Sequence, residues 1–174
     1  MAFWIFILFL PMLFSILILN NFLVSRFVSG TKVGLNMIWN VKPVVEVINN
    51  FNKGTLVETL GIEITEFGDD FVKASMPVDQ RTKQPMGLLH GGASVALSES
   101  IGSMASWLVI GDPNKSIVGI EVNANHLKAA RDGVVYSITR PVRLGKTLHV
   151  WNTEIFDEKN HLICISRLTV MIVG

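Results

Sequence analysis

Between Ala93 and Val109 the chain runs through Ala, Ser, Leu and Met with few β-branched residues and one charge, Glu99, before Gly111-Asp112-Pro113-Asn114 stops the pattern. Such a stretch predicts one long helix. Its stripe of Ala93, Ala96, Leu97, Ile101, Met104 and Leu108 needs a partner surface. Four β-rich runs downstream can supply one: roughly Ile117 to Leu127, Val134 to Val142, Thr147 to Phe156 and Leu162 to Val173. The turn sequences Arg131-Asp132-Gly133, Leu144-Gly145-Lys146 and Asp157-Glu158-Lys159-Asn160 part them. Upstream, Ile62, Ile64, Phe67 and Phe71 to Met76 read as two strands joined at Gly68-Asp69-Asp70, a hairpin signature. Val44, Val45, Val47, Ile48 and Phe51 suit a short amphipathic helix within Val41 to Phe51. A hairpin, one long helix and four consecutive strands with short turns predict an α+β fold, an antiparallel sheet wrapped on a central helix.

The 174 residues leave room for one ordinary domain with a real core. Fifteen basic residues balance 14 acidic ones for a net charge of +1, so nothing marks a nucleic-acid partner. The one cysteine, Cys164, can build neither an intrachain disulfide nor a thiolate cluster, so no metal site is expected and a cytoplasmic address fits. Hydrophobic residues at 49% against 17% charged exclude intrinsic disorder, and the excess is concentrated near the N-terminus. Met1 to Leu19 carry no charge, close to the roughly 20 residues that span a bilayer as a helix. Arg26 and Lys32 follow, which would tether the rest to the inner face of the membrane through residues 1–24. The other reading, favoured here, takes residues 1–36 as upstream sequence translated from a start chosen too early, with the folded domain at 37–174. Residues 1–36 hold two basic residues and no acidic one, so the remainder has 13 against 14 and a net charge of −1.

The stretch from Gln84 to Ser103 carries the chemistry. Gly91 and Gly92 at the start of the long helix would expose backbone N–H groups where the macrodipole is positive, a place for a developing oxyanion. The plainer reading of Gly-Gly is a tight entry turn. Glu99 is a carboxylate in a helix of small and apolar residues; it either lines a cleft or sits on a solvated side made polar by Ser94, Ser98 and Gly102.

In this stretch the chain resembles the hotdog-fold acyl-CoA thioesterases of the PaaI-like group, and within them the bacterial 1,4-dihydroxy-2-naphthoyl-CoA hydrolases. The likeness runs from about Met37 to the C-terminus. It includes Leu60-Gly61-Ile62, Met76-Pro77-Val78-Asp79, Gln84 through Gly92, Gly119 through Lys128, and Ser166-Arg167-Leu168-Thr169. Residues 1–36 have no counterpart in it. The resemblance implies a dimer of dimers and a thioester hydrolase that needs no cofactor, CoA being part of the substrate. It implies Glu99 as nucleophile or general base, with the Gln84 amide and the Gly91 N–H holding the thioester carbonyl. His90 would orient the carbonyl or the leaving thiol, and Ser100 or Ser103 the attacking water or the substrate. It implies CoA contacts at Gly119, at His126, Leu127, Lys128 and Ala129, and at Arg143, Leu144, Gly145, Lys146, Thr147 and Leu148. Arg143 stands where many relatives have His, and Asp112-Pro113-Asn114 holds one residue more than the nearest relatives. Without the resemblance, His90 reads as a satisfied loop residue, the serines as packing, and Lys128, Arg143 and Lys146 as solvated turn charges.

Gly91 and Glu99 lie eight residues apart, about 12 Å along a helix, too far for both to touch one carbonyl carbon. The spacing predicts a composite site, with oxyanion donors from one chain and the carboxylate from another, and so an obligatory homodimer. The resemblance points to an aromatic acyl-CoA and to menaquinone synthesis. An aliphatic acyl-CoA or acyl-carrier-protein proofreading thioesterase, with Met86, Met104 and Trp107 as candidate pocket walls, is the alternative. A membrane-tethered binding module without catalysis is a third.

Overall fold

The computed structural model describes residues 37–174; the expectations for residues 1–36, the tether at 1–24 among them, lie outside the described residues. In chain order the elements are α1 (Val45–Phe51), α2 (Leu56–Thr59), β1 (Glu63–Phe67), β2 (Val72–Pro77), α3 (Gly91–Ile110), β3 (Ser116–His126), β4 (Val134–Leu144), β5 (Leu148–Phe156) and β6 (Leu162–Val173). The predicted hairpin, long helix and four strands are all present, with ends shifted by a few residues. The single turn of α2 was not predicted, because four residues are too short to show a period. It is held by its cap, where Thr55 Oγ1 accepts the Val57 N–H at 3.2 Å.

The strands form one antiparallel sheet in the order β1-β2-β4-β5-β6-β3. Helix α3 carries the chain from β2 to the far edge of the sheet, so among the described residues β3 pairs with β6 on one side alone. Alternate residues of β2, β4 and β5 are buried beneath the helix, among them Val72, Ala74, Met76, Val135, Trp151 and Ile155. Trp151 is 0% exposed, stacks on Trp39 with ring centroids 6.4 Å apart, and donates its indole N–H to Ser106 Oγ at 2.7 Å.

The buried face of α3 differs from the expected stripe. It consists of Ala93, Ser94, Leu97, Ser98, Ile101, Gly102, Ala105, Ser106 and Leu108, while Ala96 and Met104 are half-buried. Ser94 and Ser98, expected to help make a solvated side, point into the fold instead. The reason is distance. A Cβ on Gly102 would lie 2.6 Å from Leu168 Cδ2, so the helix sits so close to the sheet that small side chains serve better than large ones. This helix is apolar and long enough to cross a membrane by length and composition, but it is the buried core helix of the fold. Its C-terminal end is closed by Gly111, left-handed at φ 60°, and by the N–H groups of Asn40 and Val41, which donate to the Leu108 carbonyl at 3.1 and 3.0 Å.

Candidate active site

The loop that enters α3 is pinned from below. Thr82 is 1% exposed, donates its hydroxyl to the Pro77 carbonyl at 2.7 Å and accepts the Asp79 N–H at 3.1 Å. Its own carbonyl accepts the His90 N–H at 2.8 Å, which ties the start of the loop to the start of the helix. Between them Gln84 closes a small turn: its N–H reaches the Leu88 carbonyl, its carbonyl accepts from Gly87, and its side-chain Oε1 accepts the Met86 N–H. With Oε1 engaged, the amide N–H₂ is the end left to meet a ligand.

His90 is the N-cap of α3. Its Nδ1 accepts the Gly92 N–H at 2.8 Å, so the imidazole serves the helix entry and Gly92 is no longer available to an oxyanion. The Gly91 N–H has no partner among the described residues. Of the two glycines expected to offer N–H groups, one therefore does. A Cβ on Gly91 would lie 2.7 Å from His126 Nε2, so glycine lets the end of β3 pack against the helix start.

Gln84, Gly91, His126, Leu127, Lys128 and Ala129 converge on one cleft of about 350 Å³. Its remaining walls are Leu88 and Leu89, which lie within the Gln84 to Gly92 motif, Ser94, expected on a solvated side, and Ala130 and Ile163, which the sequence did not mark; none of the five was expected as a site residue. Lys128 reaches Asp157 Oδ2 at 3.3 Å, while its backbone N–H and that of Leu127 both donate to the Ile163 carbonyl. Met86 is 80% exposed and does not line this cleft.

Glu99 lies elsewhere. It is exposed, and a Cβ on Gly119 would lie 2.9 Å from its Oε1, so the carboxylate rests against β3 at Gly119. Gly119 and His126 are seven residues apart on that strand, roughly 20 Å. Ser100 and Ser103 are half-buried beside Glu99 on α3. The segment Arg143 to Leu148 lies at the same end of the sheet as Gly119: Leu148 pairs with Met171, and Gly119 with Val170, whereas His126 pairs with Cys164. Arg143, Lys146 and Thr147 are exposed, and neither cation has an ion-pair partner among the described residues. Within one chain the proposed residues thus fall into two groups at opposite ends of the sheet.

Buried His149, next to that segment, is 2% exposed with Nδ1 unpartnered, and burial pushes its imidazole below the ordinary histidine range against the opposing pull of the Gly145 carbonyl. Burial likewise raises the Cys164 thiol, which marks it as an inert core residue.

Residues 86–164 match the family model of the thioesterase superfamily. Over 137 residues the chain is 51% identical to the 1,4-dihydroxy-2-naphthoyl-CoA hydrolase of Escherichia coli, covering 79% of this chain and 100% of the relative. The chain belongs to the thioesterase superfamily. This thioesterase is also 46% identical over 138 residues to the proofreading thioesterase EntH of Cronobacter turicensis, covering 79% of this chain and 100% of that one. The crystal structure of a thioesterase from Haemophilus influenzae superposes with a TM-score of 0.76 at 45% identity, covering 79% of this chain and 96% of that one. The fold is the hotdog fold, and the activity is acyl-CoA thioester hydrolysis.

Two features of this thioesterase escaped the sequence reading. Thr82 sits in a polar loop where nothing marks it as buried. Asp157, the partner of Lys128, lies 29 residues further on and is legible only as a turn former.

Proposed function

We propose that this thioesterase releases CoA from an aromatic acyl-CoA, of the 1,4-dihydroxy-2-naphthoyl-CoA or benzoyl-CoA type, giving the free acid. The observation that carries the thioester chemistry is the Gly91 N–H at the N-terminus of α3, without a partner among the described residues and opening with Gln84 onto one cleft; the aryl preference draws on the likeness to the 1,4-dihydroxy-2-naphthoyl-CoA hydrolase. In that cleft the thioester carbonyl accepts from Gly91 and the Gln84 amide, and the helix dipole favours the charge that grows on its oxygen. Glu99 takes a proton from the water that adds to the carbonyl carbon, and the oxyanion collapses to expel the CoA thiolate, which gains that proton; or Glu99 itself adds, the oxyanion collapses to expel the thiolate and leave a mixed anhydride, and a water then hydrolyses the anhydride to the acid, frees Glu99 and supplies the proton of the thiol. His90 supports the helix start, while in this reading Ser103, one turn on from Glu99, or the adjacent Ser100 orients the water or the substrate. No cofactor enters this chemistry.

Glu99 serves a neighbouring copy in this reading. Pairing two β3 edges antiparallel about a two-fold axis between Val122 and Asn123 sets Gly119, and Glu99 against it, opposite the partner's His126. The same operation brings the Arg143 to Leu148 segment of one copy toward the Lys128 of the other, so that both sets meet one CoA. The homodimer is then required for activity, and a dimer of dimers is the expected assembly. The cytoplasm is its expected location, and menaquinone synthesis its expected setting.

A second reading, proofreading of misloaded carrier proteins or hydrolysis of aliphatic acyl-CoA, draws on the likeness to EntH. Steady-state thiol release on a panel of aryl-CoA, aliphatic acyl-CoA and acyl-carrier-protein thioesters separates the two by kcat/KM. An aryl-CoA preference with loss of turnover in Glu99→Gln and Glu99→Ala supports the first reading; no cleavage, or Glu99 variants as fast as the parent, overturns it.

A further inference from the structure

Asp157, in the turn from β5 to β6, engages four donors through two differently aimed oxygens. Oδ1 accepts the backbone N–H groups of Lys159 at 3.0 Å and His161 at 2.8 Å and closes its own turn. Oδ2 lies 2.9 Å from His161 Nδ1 of the same turn and 3.3 Å from Lys128 Nζ outside it. These donors, the His161 backbone N–H foremost, hold the carboxyl far below the usual carboxylate range, so it is anionic wherever the enzyme works. Lys128 belongs to the strand end that lines the cleft. A lysine side chain is flexible and loses rotamer freedom when it grips an anion, unless something has already fixed its direction.

We propose that Asp157 is a positioning residue for CoA recognition: through Oδ2 it holds the Lys128 ammonium at the mouth of the cleft, leaving two N–H donors for a phosphate of CoA. This rests on the reading of Lys128 as a phosphate contact. A carboxylate near an anion site also weakens attraction, but the charge of Asp157 is shared among four donors, and the direction it imposes on Lys128 is the larger effect.

Asp157→Asn separates the two oxygens, since asparagine keeps an acceptor for the turn and removes the charge that faces Lys128. The substrates are benzoyl-CoA and benzoyl-N-acetylcysteamine, which has the same thioester and no phosphates. The expected result is a KM for benzoyl-CoA about three- to fivefold higher, the scale of an exposed ion pair. kcat and the truncated thioester's kcat/KM stay unchanged, Tm falls because the fold is stabilised by the Asp157 anion, Asp157→Glu restores part of the KM loss, and Asp157→Asn adds nothing to KM in a Lys128→Met background. An unchanged or lower KM for benzoyl-CoA overturns the proposal, as does an equal loss on both substrates, which would make Asp157 only a turn former. If Lys128→Met raises KM while Asp157→Asn is silent, positioning alone fails. If Lys128→Met is itself silent, Lys128 is no CoA contact and both readings fall together.

Discussion

The two ends of β3 are built differently. At the His126 end a helix start, a pinned loop and a strand end enclose a cleft, and hydrogen bonds to Thr82, Ile163 and Ala130 fix the backbone around it. At the Gly119 end a carboxylate rests on an open edge strand whose neighbours Val118 and Ile120 are 46% and 51% exposed. Among the described residues one end has oxyanion donors beside a carboxylate, Asp157, that its own turn and Lys128 already engage, and the other has the exposed Glu99 carboxylate away from those donors. In the proposed composite site these are the two complementary halves, and an exposed apolar edge is the kind of surface that pairs with a second copy.

The sharpest way to break this comparison is to disable each end on separate chains. Glu99→Gln alone and Gln84→Ala alone should each lose about 100-fold or more in kcat, the scale of a missing base or oxyanion donor. After mixing and reassociation in equal amounts, activity should return to about a quarter of the parent, because half the dimers are mixed and each of those has one intact site. No recovery would mean that the halves act within one chain.

Ile120→Lys places a charge on the open edge. The expected outcome is a smaller species by sedimentation and loss of most activity, with little change in monomer stability, since Ile120 is 51% exposed. A dimer that survives and still turns over would move the interface elsewhere.

Gly119→Ala perturbs one end without touching the other. Its methyl would lie 2.9 Å from Glu99 Oε1, and the flexible carboxylate can swing away at small cost to stability. kcat should fall about tenfold, as expected for a misplaced catalytic group, while Tm holds. Unchanged kcat would show that Glu99 does not work from this position.

The smallest effect concerns His149, under the Arg143 to Leu148 segment. Burial lowers its imidazole below the ordinary 6.5. The unfolded chain therefore binds this proton more readily, and His149 favours the fold above that value and ceases to as the pH falls through it. The drop in Tm between pH 8 and pH 5 should be smaller in His149→Gln by roughly 2–4 °C. An equal drop would assign the acid sensitivity to other groups.

The hairpin, α3 and the four strands were legible because each has a period or a turn sequence written in adjacent residues, such as Gly68-Asp69-Asp70 and Arg131-Asp132-Gly133. The face that α3 buries was misread at Ala96, Met104, Ser94 and Ser98. Hydrophobicity ranks Met above Ser, yet the close approach at Gly102 selects by size. Gln84 and Gly91 could be picked out from the sequence, but the engagement of Gly92 by His90 could not, since it depends on one side-chain rotamer.

By itself the sequence determined the elements, their order and the residue types that thioester chemistry needs, because these follow from local periodicity, turn chemistry and the resemblance carried by the Gln84 to Ser103 stretch. The tertiary structure alone decided which of those residues meet. β3 is laid at the sheet edge beside α3, so Gly91 is joined to His126 and Glu99 to Gly119. Pairing across strands distant in sequence sets those distances, and no spacing along the chain encodes them.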